Sequence, residues 1–435
     1  LPIVAANRRF AHAIALPPRA MKPTSAVQRW DVFCRVVDNF GDAAVCWRLA
    51  RALANDHGFA VRLWIDRLDV LAALQPALDA AAADQWLDAV QVCRLSSPMP
   101  CTDLPDVAID AFGNGLPDAY AEALALRRPK ALWIVLEYLS AEDWATGVHA
   151  MASPHPSLDI RRFFFCPGPG TQAGGLLREP GLVAAREAAD ADAGSAARFW
   201  HALGFAPPAE GTTVVSLFGY RNPGLRGLLD AMAQGSRPVL LALAPGPLAD
   251  DAATWFSAAG AVVACAAQGG PAAGTRAAGP AAATATTATA GALQARWLPF
   301  LSQRDYDRLL WASDFNFVRG EDSLVRALWA ARPLCWQLYP QQADAQCPKL
   351  EAFMAATRDP DAGLLPRDGW SDLQRAWNGC GGASAGCGLQ VAAAWTAVIE
   401  NLPDLRHRAA RLATRLAGQP DLVSRLAGFC REQLK

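Results

Sequence analysis

No uninterrupted apolar run in this sequence approaches the roughly 20 residues that a membrane-crossing helix needs, so a transmembrane helix is not expected. The 11 cysteines form no CxxC pair and no Cys/His cluster at ligand spacing. Several of them, including Cys34, Cys46, Cys265 and Cys335, lie in apolar stretches, and the sequence predicts reduced core thiols in a cytoplasmic protein. A formal net charge of -1 supplies no basic field for a phosphate backbone, so no nucleic acid partner is expected. The glycine motifs that cradle nucleotides are missing too. GPGTQAGG is not followed by GK[ST], and no GxGxxG joins the first strand to its helix. Signals for a metal are equally thin: Asp190/Asp192 and Asp359/Asp361 sit in polar loops, and His149 and His155 have no partner at ligand spacing. No catalytic metal and no cofactor are predicted.

What the sequence does contain is a repeated alternation of apolar strands and Ala/Leu-rich helical patterns, the signature of parallel sheets. A chain of 435 residues that is 52% hydrophobic exceeds one ordinary core and predicts two domains of about 200 residues each. The first series of strands is read at 31–37, 60–66, 89–95, 106–112, 131–139 and 161–168. A run of Ala, Glu and Asp at 184–196 breaks the pattern, and the turn at 205–211 marks the domain boundary. The second series is read at 212–220, 238–246, 261–267, 314–320 and 333–340. The division expected is therefore a disordered N-terminal extension at 1–28, a first α/β domain at 29–208, a second α/β domain at 209–400 and closing helices at 401–435. The chain begins with Leu, and Met21 stands just ahead of the first strand, so either an upstream extension or an overcalled start is expected; the apolar blocks before Met21 are too short and broken for a secretion signal. Residues 266–292 are almost wholly Ala, Gly, Thr and Pro, too poor in burying side chains to offset their ordering entropy, and are expected to be disordered. Residues 379–388 read as a shorter insertion of the same kind.

Two stretches carry chemistry. In DVFCRVVDNFGD, an apolar strand stops at Asp38 and Asp42, which flank the Asn39-Phe40-Gly41 turn before the first helix. Ligands of open parallel sheets bind there, outside the carboxyl ends of the strands. Capping explains Asp42 as well as catalysis does, but it does not explain Asp38. In FVRGEDSLVRALWA, a strand ends at Arg319 and a helix starts near Asp322 and Ser323, with Glu321 between them. Free helix amides and a guanidinium at one loop suit a diphosphate, although a capped helix with a surface Arg–Glu pair is the plain alternative. Phe218, Tyr220, Phe300 and Tyr306 are candidates to stack a base or sugar, or are simply core, and Gln303 either reads a base edge or decorates a helix start. Facing domains would bring Asp38, Asp42 and Glu321 into one cleft.

VVDNFGD with CWRLAR, LEYLSAEDW, SPHP, FFFCPG with GGLLRE, SLFGYRN and RGEDS, in that order, resemble the bacterial protein-arginine rhamnosyltransferases that modify elongation factor P. The resemblance runs from about Trp30 to the C-terminus. It implies an α/β fold of two facing Rossmann-like domains of the GT-B type, with the C-terminal helices crossing back. It implies a metal-independent inverting transfer of rhamnose from dTDP-β-L-rhamnose to an arginine of elongation factor P, by a monomer. Catalysis would fall to Asp38, Asp42 and Glu321, with Asn39, Phe40 and Gly41 on the acceptor side. The nucleotide sugar would meet Phe218, Tyr220, Phe300, Gln303, Arg319, Asp322 and Ser323. The long N-terminal tail and the Ala/Thr-rich insertion before Trp297 depart from the family pattern. A nucleotide-sugar epimerase or small-molecule glycosyltransferase is the competing class, disfavoured by the missing dinucleotide fingerprint. A non-catalytic binding module would have no reason to place acids from both halves beside a phosphate loop.

Overall fold

The computed structural model describes residues 27–38, 40–96, 99–265, 286–340, 345–358, 369–380 and 387–435, the side chains of 262–265 excepted. The chain forms two seven-stranded sheets with helices packed against them. The first sheet comprises β1 (Arg29–Cys34), β2 (Ala60–Ile65), β3 (Asp84–Leu87), β4 (Val90–Arg94), β5 (Val107–Ala111), β6 (Leu132–Leu136) and β7 (Arg161–Phe165). Their order is β3-β4-β2-β1-β5-β6-β7, parallel except for β3. The second sheet comprises β8 (Thr213–Leu217), β9 (Val239–Leu243), β10 (Val262–Cys265), β11 (Thr286–Ala290), β12 (Leu293–Trp297), β13 (Phe315–Arg319) and β14 (Leu334–Gln337). They are ordered β10-β11-β12-β9-β8-β13-β14, with β11 antiparallel to both neighbours. This is the two-domain α/β arrangement of GT-B glycosyltransferases.

Central strands such as β5, β6, β8 and β9 are buried along their whole length, which is why β6 and β9 read as unbroken apolar runs rather than alternating ones. In the first sheet the order reverses at β1, which lies between β2 and β5; in the second it reverses at β8, between β9 and β13. The loops that leave β1 and β13 are followed by α1 (Phe40–Asn55) and α10 (Gly320–Trp329). Those two helices pack against each other, so a single apolar cluster runs from the first sheet through Leu49 and Leu53 to Val325, Leu328 and Trp329.

The chain returns across this junction at its end. Helix α14 (Leu402–Ala417) has Pro403 in its first turn, and α15 (Leu422–Gln433) is capped by Asp421, whose Oδ1 accepts the Val423 and Ser424 amides at 2.9 and 3.0 Å. On α15, Phe429 meets Phe163 of β7 edge-on at 5.2 Å, and the Leu422 amide donates to the Leu176 carbonyl at 3.0 Å. Gly175 makes that crossing possible: its φ is +85°, and a Cβ there would come 2.9 Å from the Pro420 carbonyl oxygen.

Several expectations need correction. Strand β1 ends at Cys34 instead of reaching Val37; the Val36 amide turns to Asp66 at 3.0 Å, and Val37 is 72% exposed. Strand β3 was not foreseen, because its burial alternates and its apolar content is low. The Ala/Glu/Asp run is not a break: it forms α5 (Leu182–Ala191), whose composition suits a helix without a buried face. After α5, α6 (Ser195–Ala202) and the turn that follows bury Phe199, Trp200 and Phe205 against Val214 and Leu240 of the second sheet and Leu309 of α9 (Gln303–Trp311). The expected disordered insertion overreaches at its end, where Thr286–Ala290 pair with β12 as a strand; threonine's β-branching suits an extended ladder. Residues 266–285, 381–386, 359–368 and 1–26 lie outside the described residues, as does the Asp359/Asp361 pair. The thiols are not all free either. Cys347 and Cys380, 33 residues apart, are joined in a disulfide between α11 (Gln346–Thr357) and the turn after α12 (Trp370–Trp377). The two half-cystines are too far apart in sequence for spacing to have suggested a bridge. Among the described residues no helix is long and apolar enough to cross a membrane.

Candidate active site

The β1–α1 loop is held by one of its own acids. Asp42, buried in the first turn of α1, accepts the Val37 and Asp38 amides on Oδ2 at 2.8 Å each. Among the described residues its Oδ1 has only the Tyr138 hydroxyl, at 3.4 Å. The amides that Asp42 accepts belong to the loop before α1 and not to the first turn of the helix, so the carboxylate pins the loop instead of capping α1, and it does so through Oδ2 alone. Burial raises the Asp42 carboxyl above the ordinary carboxylate range, against the pull of those amides. Asp38 is less buried, and both its oxygens accept the Tyr220 hydroxyl from the second domain, at 3.1 and 3.0 Å. Burial raises its carboxyl also; Tyr220 opposes the shift and Asp42 adds to it. Gly41 packs on Asp38, Phe40 contacts Phe300 at 5.2 Å between ring centroids, and Asn39 lies outside the described residues.

Across the cleft, β13 turns into α10 at Gly320, with φ +62° and a Cβ position only 3.0 Å from Asp38 Oδ2. Any side chain there would be both strained and pressed on the carboxylate. Glu321 follows. Its Oε2 accepts the Leu139 amide of the first domain at 2.7 Å, and its Oε1 pairs with Lys349 at 2.7 Å. Burial raises its carboxyl, opposed by Lys349. Asp38, Asp42 and Glu321 therefore belong to one cleft, linked through Tyr220, Gly320, Tyr138 and Leu139.

The Arg319 guanidinium lies 4.5 Å from the Phe218 ring centroid and 4.6 Å from that of Tyr220, and among the described residues no carboxylate pairs with it. Phe300 is 49% exposed at the rim. Gln303 opens α9 (Gln303–Trp311), and its Nε2 is buried without a hydrogen-bond partner. An orphaned buried donor of this kind is what a ligand oxygen would satisfy. Tyr306 packs edge-on against Phe218 at 5.9 Å. Ser323 and Asp322 are engaged within the protein: the Ser323 hydroxyl donates to the Arg319 carbonyl, and the Asp322 carboxylate takes Arg48 and Arg326. What the α10 start offers to a ligand is its backbone amides and Arg319.

Sequence reasoning missed Tyr138, Lys349 and Arg48. Tyr138 lies inside LEYLSAEDW, Arg48 shares α1 with Asp42, and Lys349 lies on α11; the partners of each, Asp42, Glu179 with Asp322, and Glu321, are brought to them only by the fold. Among the described residues, no group of three or more His, Cys, Asp or Glu is placed to hold a metal. Asp190 pairs with Arg186 and Arg332, Asp192 pairs with Arg198, and His149 and His155 each accept backbone amides through Nδ1.

Residues 30–431 match the family model described as elongation factor P (EF-P) rhamnosyltransferase EarP. A protein-arginine rhamnosyltransferase of Pseudomonas putida is 40% identical over 410 residues, covering 93% of this chain and 99% of that protein. One from Neisseria meningitidis serogroup B is 31% identical, covering 93% and 97%. A solved structure described as the structural basis for EarP-mediated arginine glycosylation of translation elongation factor EF-P is 32% identical, with a TM-score of 0.60 over 93% of this chain and 99% of that one. With nearly the whole chain matched by the family model and by full-length relatives, the protein belongs to the EarP family of elongation factor P rhamnosyltransferases.

Proposed function

We propose that this protein moves L-rhamnose from dTDP-β-L-rhamnose to a guanidino nitrogen of one arginine of elongation factor P, in a single inverting displacement without a metal. The observation that supports it most is the pairing, in one cleft, of two first-domain carboxylates with an Arg319 that, among the described residues, forms no ion pair. A guanidinium with a pKa above about 12 is a poor nucleophile in water. Between Asp38 and Asp42 its charge is localised. As the nitrogen attacks C1 of rhamnose, the C1–O bond to dTDP breaks, and the nitrogen's proton passes to Asp42 Oδ1. Asp38 orients the acceptor, and Glu321, tied to Leu139 and Lys349, holds the two domains around the reacting carbon. Arg319 and the amides that open α10 take up the charge of the departing diphosphate, the task that a divalent ion performs elsewhere. Phe218, Tyr220, Phe300 and Gln303 line the nucleotide-sugar side.

Purified protein incubated with elongation factor P and dTDP-β-L-rhamnose should add one rhamnose to the intact mass of the acceptor. Fragmentation should place it on a single arginine, with excess chelator making no difference. Absence of the adduct, or equal transfer to small-molecule acceptors, would contradict the proposal.

A further inference from the structure

The segment that ends FFFCPG…GGLLRE lies between the helices that open with the reactive acids, and it touches both. The Leu177 carbonyl accepts the Trp329 indole N–H of α10 at 2.8 Å and the Arg48 Nη2 of α1 at 3.4 Å. Two residues on, Glu179 receives Arg48 through Nε at 2.6 Å and Nη2 at 2.8 Å, and lies 3.6 Å from Arg326. The third hand of Arg48, Nη1, reaches Asp322 of α10 at 2.5 Å. Asp322 also takes Arg326 Nε at 3.1 Å, and Arg326 Nη1 grips Asp307 of α9 at 2.9 Å to both oxygens. Both guanidiniums are buried, at 2% and 3% exposure. A pair this far from water is strongly favoured only while every partner is in place. The network is therefore intolerant of any shift of α1 against α10.

We propose that Arg48 is a positioning residue for rhamnosyl transfer: through Glu179 and Asp322 it fixes α1 against α10, and so sets the separation of Asp38 and Asp42 from Glu321 and Arg319. Asp42 sits in the first turn of α1 and Arg48 further along the same helix; Glu321 and Asp322 are adjacent in the first turn of α10. A guanidinium that binds Glu179 bidentately and Asp322 with a third nitrogen defines both a distance and an angle, which an ammonium cannot do. Burial alone would raise Glu179, but Arg48 and then Arg326 hold it down at about 2, so it is an anion at every working pH. The same lock brings the Tyr220 hydroxyl onto Asp38 from the opposite domain.

The inference rests on the proposed transfer, and wild-type activity in the same assay tests that separately. Arg48→Lys is compared with wild type in the presence and absence of Tyr220→Phe, with dTDP-β-L-rhamnose and intact elongation factor P as substrates. Arg48→Lys should lower kcat by tenfold or more and change the KM for the nucleotide sugar by less than threefold. In the Tyr220→Phe background the same substitution should cost much less, because the Tyr220–Asp38 bond needs the helices in register. An equal fold-loss in both backgrounds would overturn the positioning role and leave Arg48 as a merely structural contact, as would a loss confined to KM. Where Arg48→Lys fails to fold, Glu179→Gln, which keeps the hydrogen-bonding outline, is read by the same criteria.

Discussion

Replacing Asp42 by Asn would leave an amide oxygen able to accept the Val37 and Asp38 amides, so the loop should survive; what is lost is the oxygen that receives the proton. Asp42→Asn should melt close to wild type and lose about 10²–10⁴-fold in transfer rate. Wild-type turnover in that variant would remove Asp42 from the chemistry. The pH profile follows from the same surroundings. Burial raises both Asp38 and Asp42. A base with a raised pKa is protonated at a higher pH, so kcat/KM should fall on acidification at a pH above the ordinary carboxylate value of about 4. Tyr220 stabilises the Asp38 anion, so Tyr220→Phe should move that acid limb to still higher pH; a shift towards lower pH would contradict the assignment. The acids themselves were legible in the sequence because they stop an apolar strand. Their partners were not. Nothing local to Tyr138, Tyr220 or Lys349 announces a carboxylate brought near only by folding.

Helices α1 and α10 are built alike: each follows a parallel strand of its sheet, and each opens with an acid in its first turn. That arrangement follows from an apolar strand, a turn permitting glycine and a helical repeat, and these were readable one element at a time. Elements whose burial is partial escaped. The surface strand β3 and the hairpin of β11 with β12 carry little apolar pattern, and their pairing is set by neighbours distant in sequence. Gly320 is the point where the element itself constrains the site. Gly320→Ala should cost about 1–2 kcal/mol from the left-handed backbone alone. Its Cβ should also displace the Asp38 carboxylate, so that transfer falls by more than stability does. Thermal melting alongside an initial-rate assay checks this, and unchanged activity in a destabilised protein would show that Asp38 tolerates the displacement.

At the scale of the whole molecule, neither sheet has a complete site. The first domain contributes Asp38 and Asp42, the second contributes Arg319 and Glu321, and the packing of α1 on α10 with the Arg48–Asp322 and Leu139–Glu321 contacts ties them into one body. The two-domain plan was visible as two series of strands, and the packing of α6 on the second sheet was not, since Phe199 and Trp200 are ordinary amphipathic residues until their partners are known. In the proposed transfer, with the acceptor acids on one wall and the diphosphate on the other, the nitrogen approaches the face of C1 opposite the leaving group. The configuration of the arginine-linked sugar tests this most directly. NMR of modified elongation factor P made from dTDP-β-L-rhamnose should show an α-linked rhamnose, the product of one inversion. A β-linked product would mean retention, and with it an intermediate or a reacting geometry that this cleft does not supply.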